Sequence, residues 1–547
     1  MSNTATPLRV ALLIDSFNQP RWVSKVIEDI KASSVAEICL IIKNEMVTPR
    51  QNRFRSYWKN RNYLLYSLYN RLDEHIPLVE EDAFEDTDVT ELLSSCPVLQ
   101  IEPETKQYSD WFRPDDIAKI SGYNLDVAIC FGFRILRGDA LRIAKHGVWS
   151  YHHGDNLLNR GGPAAFWEVM EPSNITGAVL QVLSEDLDNG LVIYRAWSRT
   201  SNRFSVRGNR NNLYWKASTF LMRKLKQLYE TGTLDSEDAA LYRPYYNRLY
   251  KMPSNLELLP HLSKLSFKYV ASKLTDSFFF DQWVLAYRFR RSPDDPNNTF
   301  YRFKYLIPPK ERFWADPFPV RYEGKYFIFF EEYIYKDEKA HISVVEVTPA
   351  GISDPIVVLR RDYHLSYPFV FTWKGRYFMI PETAANQTVE LYSCESFPSG
   401  WKLEALLLDG LKAKDATLVE LEGRWWMFVA LADTMFSDEL HAYYSDSPLG
   451  PWKPHKKNPL KSDVRNSRPA GRFFTWAQQL YRPAQDSSRH YGYAITINRV
   501  IRLTTDEFAE EEVSKVLPQW RKDLQGTHTL NICDDLTVID CLLRRRR

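Results

Sequence analysis

The segment GVWSYHHGDNLLNRGGPAAFWEVMEPSNITGAVLQVLSEDLDNGLVI, residues 147–193, contains apolar strand-like runs on either side of a loop rich in histidine and glycine. Residues 147–150 predict the end of one strand, and residues 175–183 and 191–197 predict two more. The Arg-Gly-Gly-Pro break at residues 160–163 ends the loop. Because open α/β folds carry their sites in loops at the carboxyl ends of strands, this loop is the first candidate for a functional site.

The chemistry of this region comes from an imidazole and a carboxylate. His152 leaves the first strand, and Asp188 lies in the polar turn between the next two strands. When two such loops meet, an imidazole and a carboxylate form an acid/base pair whose histidine titrates near neutral pH. The sequence therefore predicts proton transfer by His152 and Asp188.

The motif spacing resembles the formyltetrahydrofolate-dependent formyltransferases, which act on methionyl-tRNA, glycinamide ribonucleotide and amino sugars. That family has Asn-x-His, then Arg-Gly, then a strand that ends in Asp-x-Gly, and His152, Arg160 and Asp188 match it. The resemblance implies a Rossmann-like α/β domain that moves a formyl group from formyltetrahydrofolate to an amine. Ser150 stands in the position of the family's Asn, and its hydroxyl offers one hydrogen bond to the oxyanion. The implied catalytic residues are His152, Asp188 and Ser150.

The same resemblance implies binding residues. The strand at residues 125–131 and its following loop look like the family's folate-holding region. The implied folate contacts are Gly132, Arg134, Ile135, Leu136 and Asp186. The implied substrate contacts in the histidine-rich loop are His153, Asp155 and Arg160. Ordinary core packing is the alternative for the two aliphatic residues, and a retained fold without chemistry is the alternative for the domain.

Length and composition limit the class of protein. A chain of 547 residues predicts two to three domains, and a formal charge of +2 argues against bulk binding to nucleic acid. The six cysteines lack ligand spacing, so neither a metal site nor a disulfide framework is predicted. The sequence shows no signal peptide and no apolar run of membrane-spanning length, so we expect a cytoplasmic location.

The second half contains an internal repeat. Three segments superpose: DPFPVRYEGKYFIFFEE from Asp316, YPFVFTWKGRYFMIPET from Tyr367 and DATLVELEGRWWMFVAL from Asp415. In each, a glycine eight residues after the start precedes a basic residue and two aromatic residues. The offsets of 51 and 48 residues fit one four-stranded blade per repeat, so the sequence predicts an all-β five-bladed propeller.

These patterns predict a multidomain chain with an α/β domain followed by the propeller. The expected boundaries are residues 1–230 for the formyltransferase-like domain, 231–298 for a linker with helices and 299–547 for the propeller.

The second half resembles the five-bladed propellers of glycoside hydrolases and, more closely, the propeller-like segment of plant proteins that add glucosamine to inositolphosphorylceramide. The matching phrases are WADPF (314–318), HLSYPFVF (364–371), IPET (380–383), SRPAG (467–471) and YRPAQD (481–486). The resemblance implies a carbohydrate site in the central channel, at Asp316, Glu382, Asp415, Arg468, Arg482 and Gln485. Tyr367 stands where a hydrolase would have its second-blade Asp. For Arg482 and Gln485 the alternative is a structural role between blades.

Two functions remain open from the sequence. The first is a formyltransferase that uses formyltetrahydrofolate and an amine or amino-sugar substrate, with the propeller binding carbohydrate. The second is a carbohydrate-binding or glycoside-hydrolase-like propeller protein with a catalytically inactive formyltransferase-like domain.

Overall fold

The computed structural model describes residues 6–46, 61–78, 81–106, 108–186, 189–200, 204–236, 245–290, 299–348, 351–432 and 438–547. It divides into two compact units, Met1–Tyr269 and Val270–Arg547. The division falls within the segment that the sequence assigns to a linker. Asp188, one of the predicted catalytic residues, lies outside the described residues.

The first unit is built from strands and helices in alternation. Its strands are β1 Leu8–Ile14, β2 Asn18–Pro20, β3 Ala36–Asn44, β4 Asp86–Asp88, β5 Val98–Ile101, β6 Glu104–Lys106, β7 Ser109–Trp111, β8 Val127–Cys130, β9 Ile135–Arg137, β10 Val148–His152, β11 Arg160–Gly161, β12 Ile175–Val182, β13 Leu191–Arg199 and β14 Leu249–Tyr250. Its helices are α1 Arg21–Ala32, α2 Leu64–Asp73, α3 Pro114–Ser121, α4 Trp167–Met170, α5 Val206–Thr231 and α6 Asn255–Phe278, the last of which contains the division between units.

The main sheet of this unit has seven strands in the order β13-β12-β10-β8-β1-β3-β5. The strands from β10 to β5 run parallel, whereas β12 and β13 are antiparallel to their neighbours. Alternate residues of β1 enter two different cores: Leu12 packs with α1 and α5, and Leu13 packs with α3. Both faces are therefore covered, which explains the continuous apolar runs in the sequence.

Local sequence signals define the helix ends. Ser205 caps α5 because its Oγ accepts a hydrogen bond from Gly208 N at 3.0 Å, and Gly232 ends that helix with φ 70°. Helix α3 begins with Pro114 and has two acidic residues in its first turn. These signals support the predicted α/β character of the first unit without distinguishing one enzyme family from another.

After the end of α6, the second unit is built mainly from strands. They are β15 Phe279–Phe289, β16 Lys304–Leu306, β17 Arg312–Tyr322, β18 Lys325–Ile334, β19 Lys339–Val347, β20 Ile356–Leu359, β21 Ser366–Trp373, β22 Arg376–Thr383, β23 Thr388–Ser396, β24 Ser399–Asp409, β25 Ala413–Leu421, β26 Arg424–Leu431, β27 Glu439–Ser445, β28 Lys453–Pro454, β29 Lys461–Ser462, β30 Phe474–Trp476, β31 Gln479–Asp486, β32 Ala494–Leu503, β33 Phe508–Val516, β34 Leu524–Gly526, β35 Leu530–Cys533 and β36 Leu536–Arg546.

Within the described part of the second unit these strands form five antiparallel sheets, as expected for five propeller blades. Four sheets use consecutive strands, namely β17–β20, β21–β24, β25–β29 and β30–β33. The fifth joins both ends of the unit, because β15 pairs along its whole length with β36. The prediction of a β-sheet second half is confirmed. The segment at residues 279–289, assigned to the linker from sequence, is a strand of the fifth sheet.

The three sequence repeats have the same backbone geometry. Asp316, Tyr367 and Asp415 have φ of 51°, 45° and 55°, and each lies where the pairing of the first two strands of its sheet shifts register. The glycines of the repeat, Gly324 and Gly375 among them, also have positive φ. Each follows another residue in the left-handed region, which is the geometry of a two-residue hairpin turn. The repeated glycine therefore marks the turn between the inner two strands of a blade.

Through its buried hydroxyl, Tyr367 links its own sheet to β25 and to the loop before β30. Tyr367 Oη lies 2.8 Å from Thr417 Oγ1 and accepts a hydrogen bond from Gly471 N at 2.7 Å. The ring also packs edge to face against Phe318. In place of a carboxylate at this position, the protein has a neutral side chain that joins neighbouring blades.

Replacing Tyr367 with Phe tests this link. The variant keeps the ring but leaves a buried backbone amide without its acceptor, so we expect the free energy of unfolding to fall by about 1–3 kcal/mol. The matched control is Tyr377→Phe, which removes one exposed hydroxyl contact to Arg321 O. Urea denaturation of the full chain measures both. Equal effects of the two substitutions would contradict the proposed role of Tyr367.

Candidate functional site

The first unit has a cavity of about 320 Å³ near the carboxyl ends of β8 and β10. Several residues predicted from sequence line it: Arg134, Ile135, Leu136, Ser150, His153 and Asp186. Leu136 is also part of the core below, as its packing alternative predicts. Gly132 lies against the end of β1, where a Cβ atom would come within 2.1 Å of Asp15 N.

Aromatic side chains form one wall of this cavity. The His153 ring stacks on Tyr214, with centroids 3.5 Å apart, and meets Trp22 edge to face. Burial lowers the pKa of His153 well below its usual value, so this imidazole is neutral at pH 7. Arg134 is held at the rim by Asp110, to which its Nε donates at 2.9 Å.

The other predicted residues of this unit lie in different surroundings. His152 is buried, its Nε2 lies 2.8 Å from Asn159 O, and it does not line the cavity. Asp155 accepts hydrogen bonds from Arg195 Nη1 at 2.7 Å and Trp197 Nε1 at 2.8 Å. Arg160 donates from Nε to Asn156 O and from Nη2 to Asn189 Oδ1, and its guanidinium covers the Tyr245 ring. The side chains of His152, Asp155 and Arg160 are thus engaged in contacts within the first unit, and these contacts fix the position of the histidine-rich loop.

The second unit contains a group of charged side chains, which we call the central cluster. Its members are Asp316, Glu331, His364, Glu382, Asp415, Arg468, His528 and Asp540. Ion pairs join the members in three sets: Glu331 with His364, Arg468 with Glu382 and Asp415, and His528 with Asp316 and Asp540. Besides burial, the charges of Glu331 and Asp415 raise the pKa of Asp316, so the three sets lie close to one another.

Arg468 is the cation between two carboxylates of the cluster. Its Nε pairs with Asp415 Oδ2, and its Nη2 lies 3.2 Å from Asp415 Oδ1 and 3.6 Å from Glu382 Oε2. Gln485 Nε2 donates to Asp415 Oδ2 at 3.0 Å and so fixes the same carboxylate. Glu382 Oε2 is buried and has no hydrogen-bond partner among the described residues. The described residues therefore leave the hydrogen-bonding capacity of one buried carboxylate oxygen unused.

A second part of the cluster surrounds His528. The imidazole pairs with Asp540 through Nδ1, lies 3.8 Å from Asp316 Oδ1 through Nε2, and stacks on Trp283 with centroids 4.1 Å apart. Thr529 Oγ1 donates to Asp316 Oδ1 at 2.6 Å. Asp316, His528 and Asp540 offer ligand atoms within 4.8 Å of one another, a spacing suitable for a metal ion. Asp540 also accepts hydrogen bonds from the backbone amides of residues 528 and 529. These bonds use much of the capacity of its carboxylate to bind a metal ion.

Two rings at the edge of the central cluster, those of His364 and Tyr491, reach solvent. His364 Nε2 lies 3.3 Å from Glu331 Oε1, and its side chain is 35% exposed. Tyr491 is 42% exposed, packs edge to face on His528, and lies 5.0 Å from the guanidinium of Arg468. The cluster is therefore buried on one side and bordered by exposed rings on the other.

Burial raises the pKa of Asp316 to about 7, although the nearby His528 charge lowers it. Burial, together with the charge of Asp415, raises the pKa of Glu382 to about 8. Burial lowers the pKa of His528, but Asp540 and Asp316 outweigh it and raise the value to about 9. The centre therefore combines a protonated carboxyl group, a protonated imidazole and a carboxylate that titrates near neutrality.

Arg482 has a different environment from the other predicted channel residues. It is fully buried, and its Nε and Nη2 donate to Glu510 at 2.8 and 2.6 Å. Its remaining hydrogen bonds go to the backbone carbonyls of Asn466 and Ser467. These contacts correspond to the structural alternative for this residue, while Gln485 contacts the cluster through Asp415.

Sequence reasoning assigned no role to His364, His528 or Asp540. The phrase HLSYPFVF contains His364, but nothing in it indicates the pairing with Glu331. His528 and Asp540 lie outside the three superposed repeats, so no aligned partner identified them. The sequence offered only a weak signal, namely a histidine and an aspartate twelve residues apart. In the structure these two residues pair beside the β35–β36 hairpin.

Comparison with known proteins finds similarity in the second half. Residues 308–531 match the family described as glucosamine inositolphosphorylceramide transferase 1, N-terminal. Proteins named glucosamine inositolphosphorylceramide transferase 1 from Oryza sativa subsp. japonica and Arabidopsis thaliana are each 35% identical, over 217 and 218 residues. Each alignment covers 38% of this chain, and the chain spans 29% and 28% of the two relatives.

Solved structures give weaker likenesses. Zg3597, a family 117 glycoside hydrolase of Zobellia galactanivorans, aligns with 48% of this chain and 90% of its own, at 15% identity and TM-score 0.33. Glycinamide ribonucleotide transformylase 1 from Symbiobacterium toebii aligns with 42% of this chain and 90% of its own, at 11% identity and TM-score 0.29. TM-scores this low establish neither a shared fold nor a shared activity.

The prediction of a formyltransferase is wrong, and so is the prediction of formyltetrahydrofolate as cofactor. The curated proteins that match this chain are named as glucosamine inositolphosphorylceramide transferases, and no folate enters that name. The physical basis of the error is visible in the first unit. The His152 spacing reproduces a loop, but its imidazole binds a backbone carbonyl and Ser150 replaces the amide that would polarise a formyl group.

The central cluster makes stability depend on pH in a defined direction. The raised pKa values of Asp316, Glu382 and His528 mean that the folded state holds more protons than the unfolded chain. The stabilisation that each group gives the folded state is fully present below the pKa of that group in the unfolded chain. It is lost as the pH rises through the pKa of the group in the folded state. We expect the free energy of unfolding to decrease between about pH 5 and about pH 9. In Glu382→Gln we expect this decrease to be smaller by at least about 1 kcal/mol.

Urea denaturation of the full chain at several pH values measures this dependence. The relevant transition is the one that moves in Tyr367→Phe. Stability that rises over this pH range, or an unchanged slope in Glu382→Gln, would contradict the assigned protonation states.

Proposed function

We propose that the protein binds carbohydrate at the central cluster of the second unit. The observation that carries the proposal is the pairing of Arg468 with Asp415 beside Glu382, whose Oε2 has no hydrogen-bond partner among the described residues. A buried oxygen without a partner is costly unless a ligand or water satisfies it. A sugar hydroxyl donates the hydrogen bond that this oxygen requires.

The composition of the cluster suits a polyhydroxylated ligand. Carboxylates accept hydrogen bonds from hydroxyl groups, and a guanidinium donates several in a fixed geometry. The exposed ring of Tyr491 adds an apolar surface beside these groups, on which a sugar face can pack. In ligand-binding sites, a few polar groups next to an aromatic surface typically fix the orientation of the ligand and make binding specific.

The family match supports the same site. The matched range, residues 308–531, includes Asp316, Glu382, Asp415, Arg468 and His528. The name of the family contains glucosamine and an inositol-bearing lipid, so a glycan or glycolipid head group is the ligand class that we propose. Transfer of glucosamine by this chain is not part of the proposal, because the chain spans less than a third of the relatives' length.

Cleavage of a glycosidic bond is a second candidate. The raised pKa of Glu382 favours it, because a carboxyl group that stays protonated near neutral pH can protonate a leaving oxygen. Asp316 would be the second carboxyl group that such chemistry needs. Tyr367, which joins blades through Thr417 and Gly471, stands where a hydrolase would place another aspartate. This substitution makes binding the better-supported function.

Glu382→Gln tests the binding site with little change in shape. At pH 9, above the raised pKa of Glu382, we expect at least a tenfold loss of affinity, because a hydrogen bond to a charged group contributes about 1.5–3 kcal/mol. The ligand is first found on a panel of neutral, amino-sugar and uronic-acid oligosaccharides, and the affinity is then measured by calorimetry. Glu395→Gln is the control, since Glu395 lies in the same sheet, exposed and paired with Lys402.

The same panel distinguishes the two candidates. Release of reducing sugar by the wild type but not by Glu382→Gln would establish cleavage. Equal affinity of Glu382→Gln and the wild type for a bound glycan, or no binding to any class of oligosaccharide, would contradict the proposed site.

A further inference from the structure

Helix α6 has an outward face of large apolar side chains, which we call the outer stripe. Six residues of it are between 54% and 87% exposed: Leu256, Leu259, Phe267, Val270, Leu274 and Phe278. Globular proteins rarely leave so many large apolar residues exposed on one element without an interaction that covers them.

The spacing of the stripe is helical. At about 100° per residue, its six members fall within an arc of about 100° on the helix surface. The opposite side of α6 already packs into the first unit, where Leu258, Leu262 and Leu265 join a core with Phe166 and Trp167. The fold therefore does not require the stripe to be apolar, and the stripe is a second, independent hydrophobic face.

Helix α2 extends the apolar surface. Its residues Leu64, Leu68 and Leu72 are between 43% and 62% exposed, while its neighbouring Leu65 and Tyr69 face the inner core. Asn255 ties the two helices together, because its Oδ1 accepts from Leu65 N at 2.9 Å and its Nδ2 donates to Arg61 O at 2.8 Å. The exposed leucines and the N-terminal part of the stripe thus belong to adjoining helices.

The charges around the stripe have a defined arrangement. By helical position, Lys264 borders one edge and Lys273 borders the other, while Lys268 lies about 80° beyond the first edge. The carboxylate of Glu257 is neutralised by Arg248, whose Nη1 lies 2.6 Å from Glu257 Oε1. Asp276 falls on the opposite side of the helix. Lysines at the edges of an apolar face extend their ammonium groups to phosphate while their methylene stems cover apolar surface.

We propose that α6 and α2 dock the protein on the surface of an anionic membrane, with the outer stripe inserted among the lipid head groups. None of the described helices is long and apolar enough to cross a bilayer. A membrane fits better than a protein groove, because the apolar residues extend along a whole helix and are bordered by lysines on both edges. This proposal is independent of the carbohydrate site.

Vesicle flotation with the full chain tests the proposal. The vesicles are phosphatidylcholine alone and phosphatidylcholine with about one quarter phosphatidylserine. We expect binding to the anionic vesicles, and at least a tenfold loss of binding in the double variant Leu256→Glu/Phe267→Glu. Replacing both Lys264 and Lys268 with Ala should weaken binding to anionic vesicles by about fivefold for each lysine.

The matched control is Ile501→Glu/Val513→Glu, which places two charges at exposed apolar positions of the second unit. Circular dichroism and thermal denaturation check that each variant is folded. Failure of the wild type to bind anionic vesicles would overturn the proposal, as would full binding by a folded Leu256→Glu/Phe267→Glu variant. A lipid-independent dimer that this variant dissolves would overturn it too, because a second copy would then cover the stripe.

Discussion

A left-handed backbone near the start of three inner strands is the constraint on which the second unit depends. Asp316, Tyr367 and Asp415 all have φ between 45° and 55°, a conformation that costs a residue with a side chain about 1–2 kcal/mol. Thr529 donates a hydrogen bond to Asp316, and Thr417 and Gln485 donate to Asp415. The hydroxyl of Tyr367 accepts from the backbone amide of Gly471. The backbone of each repeat thereby turns at the same point, and two of the three turns place a carboxylate in the central cluster.

The electrostatics of the cluster follow from this concentration of acids. Five carboxyl groups share their surroundings with one guanidinium and two imidazoles, and most of them are buried. Burying a charge is unfavourable unless a partner compensates it. Arg468 compensates Asp415 and His528 compensates Asp540, while Glu382 stays protonated to a higher pH. The site is therefore organised to accept hydrogen bonds and to hold a proton at the same time.

The repeat pattern was the part of the sequence that predicted structure best. A glycine eight residues after Asp316, Tyr367 or Asp415 predicts a hairpin turn, and each of these glycines has positive φ. The partners of Asp316 were not predictable in this way, because Thr529 lies 213 residues further along the chain. They meet only because the fifth sheet is assembled from both ends of the unit. In the first unit the local spacing was misleading. The residues around His152 are spaced as in the formyltransferases, but the contacts of the His152 side chain do not fit that reaction.

Structure determination of the full chain with its bound oligosaccharide tests the central claim most directly. The account predicts a sugar whose hydroxyl group donates to Glu382 Oε2, next to the Arg468 and Asp415 pair and the ring of Tyr491. A sugar bound instead in the cavity beside Ser150 and His153, or on the outer surface of the sheets, would contradict the account.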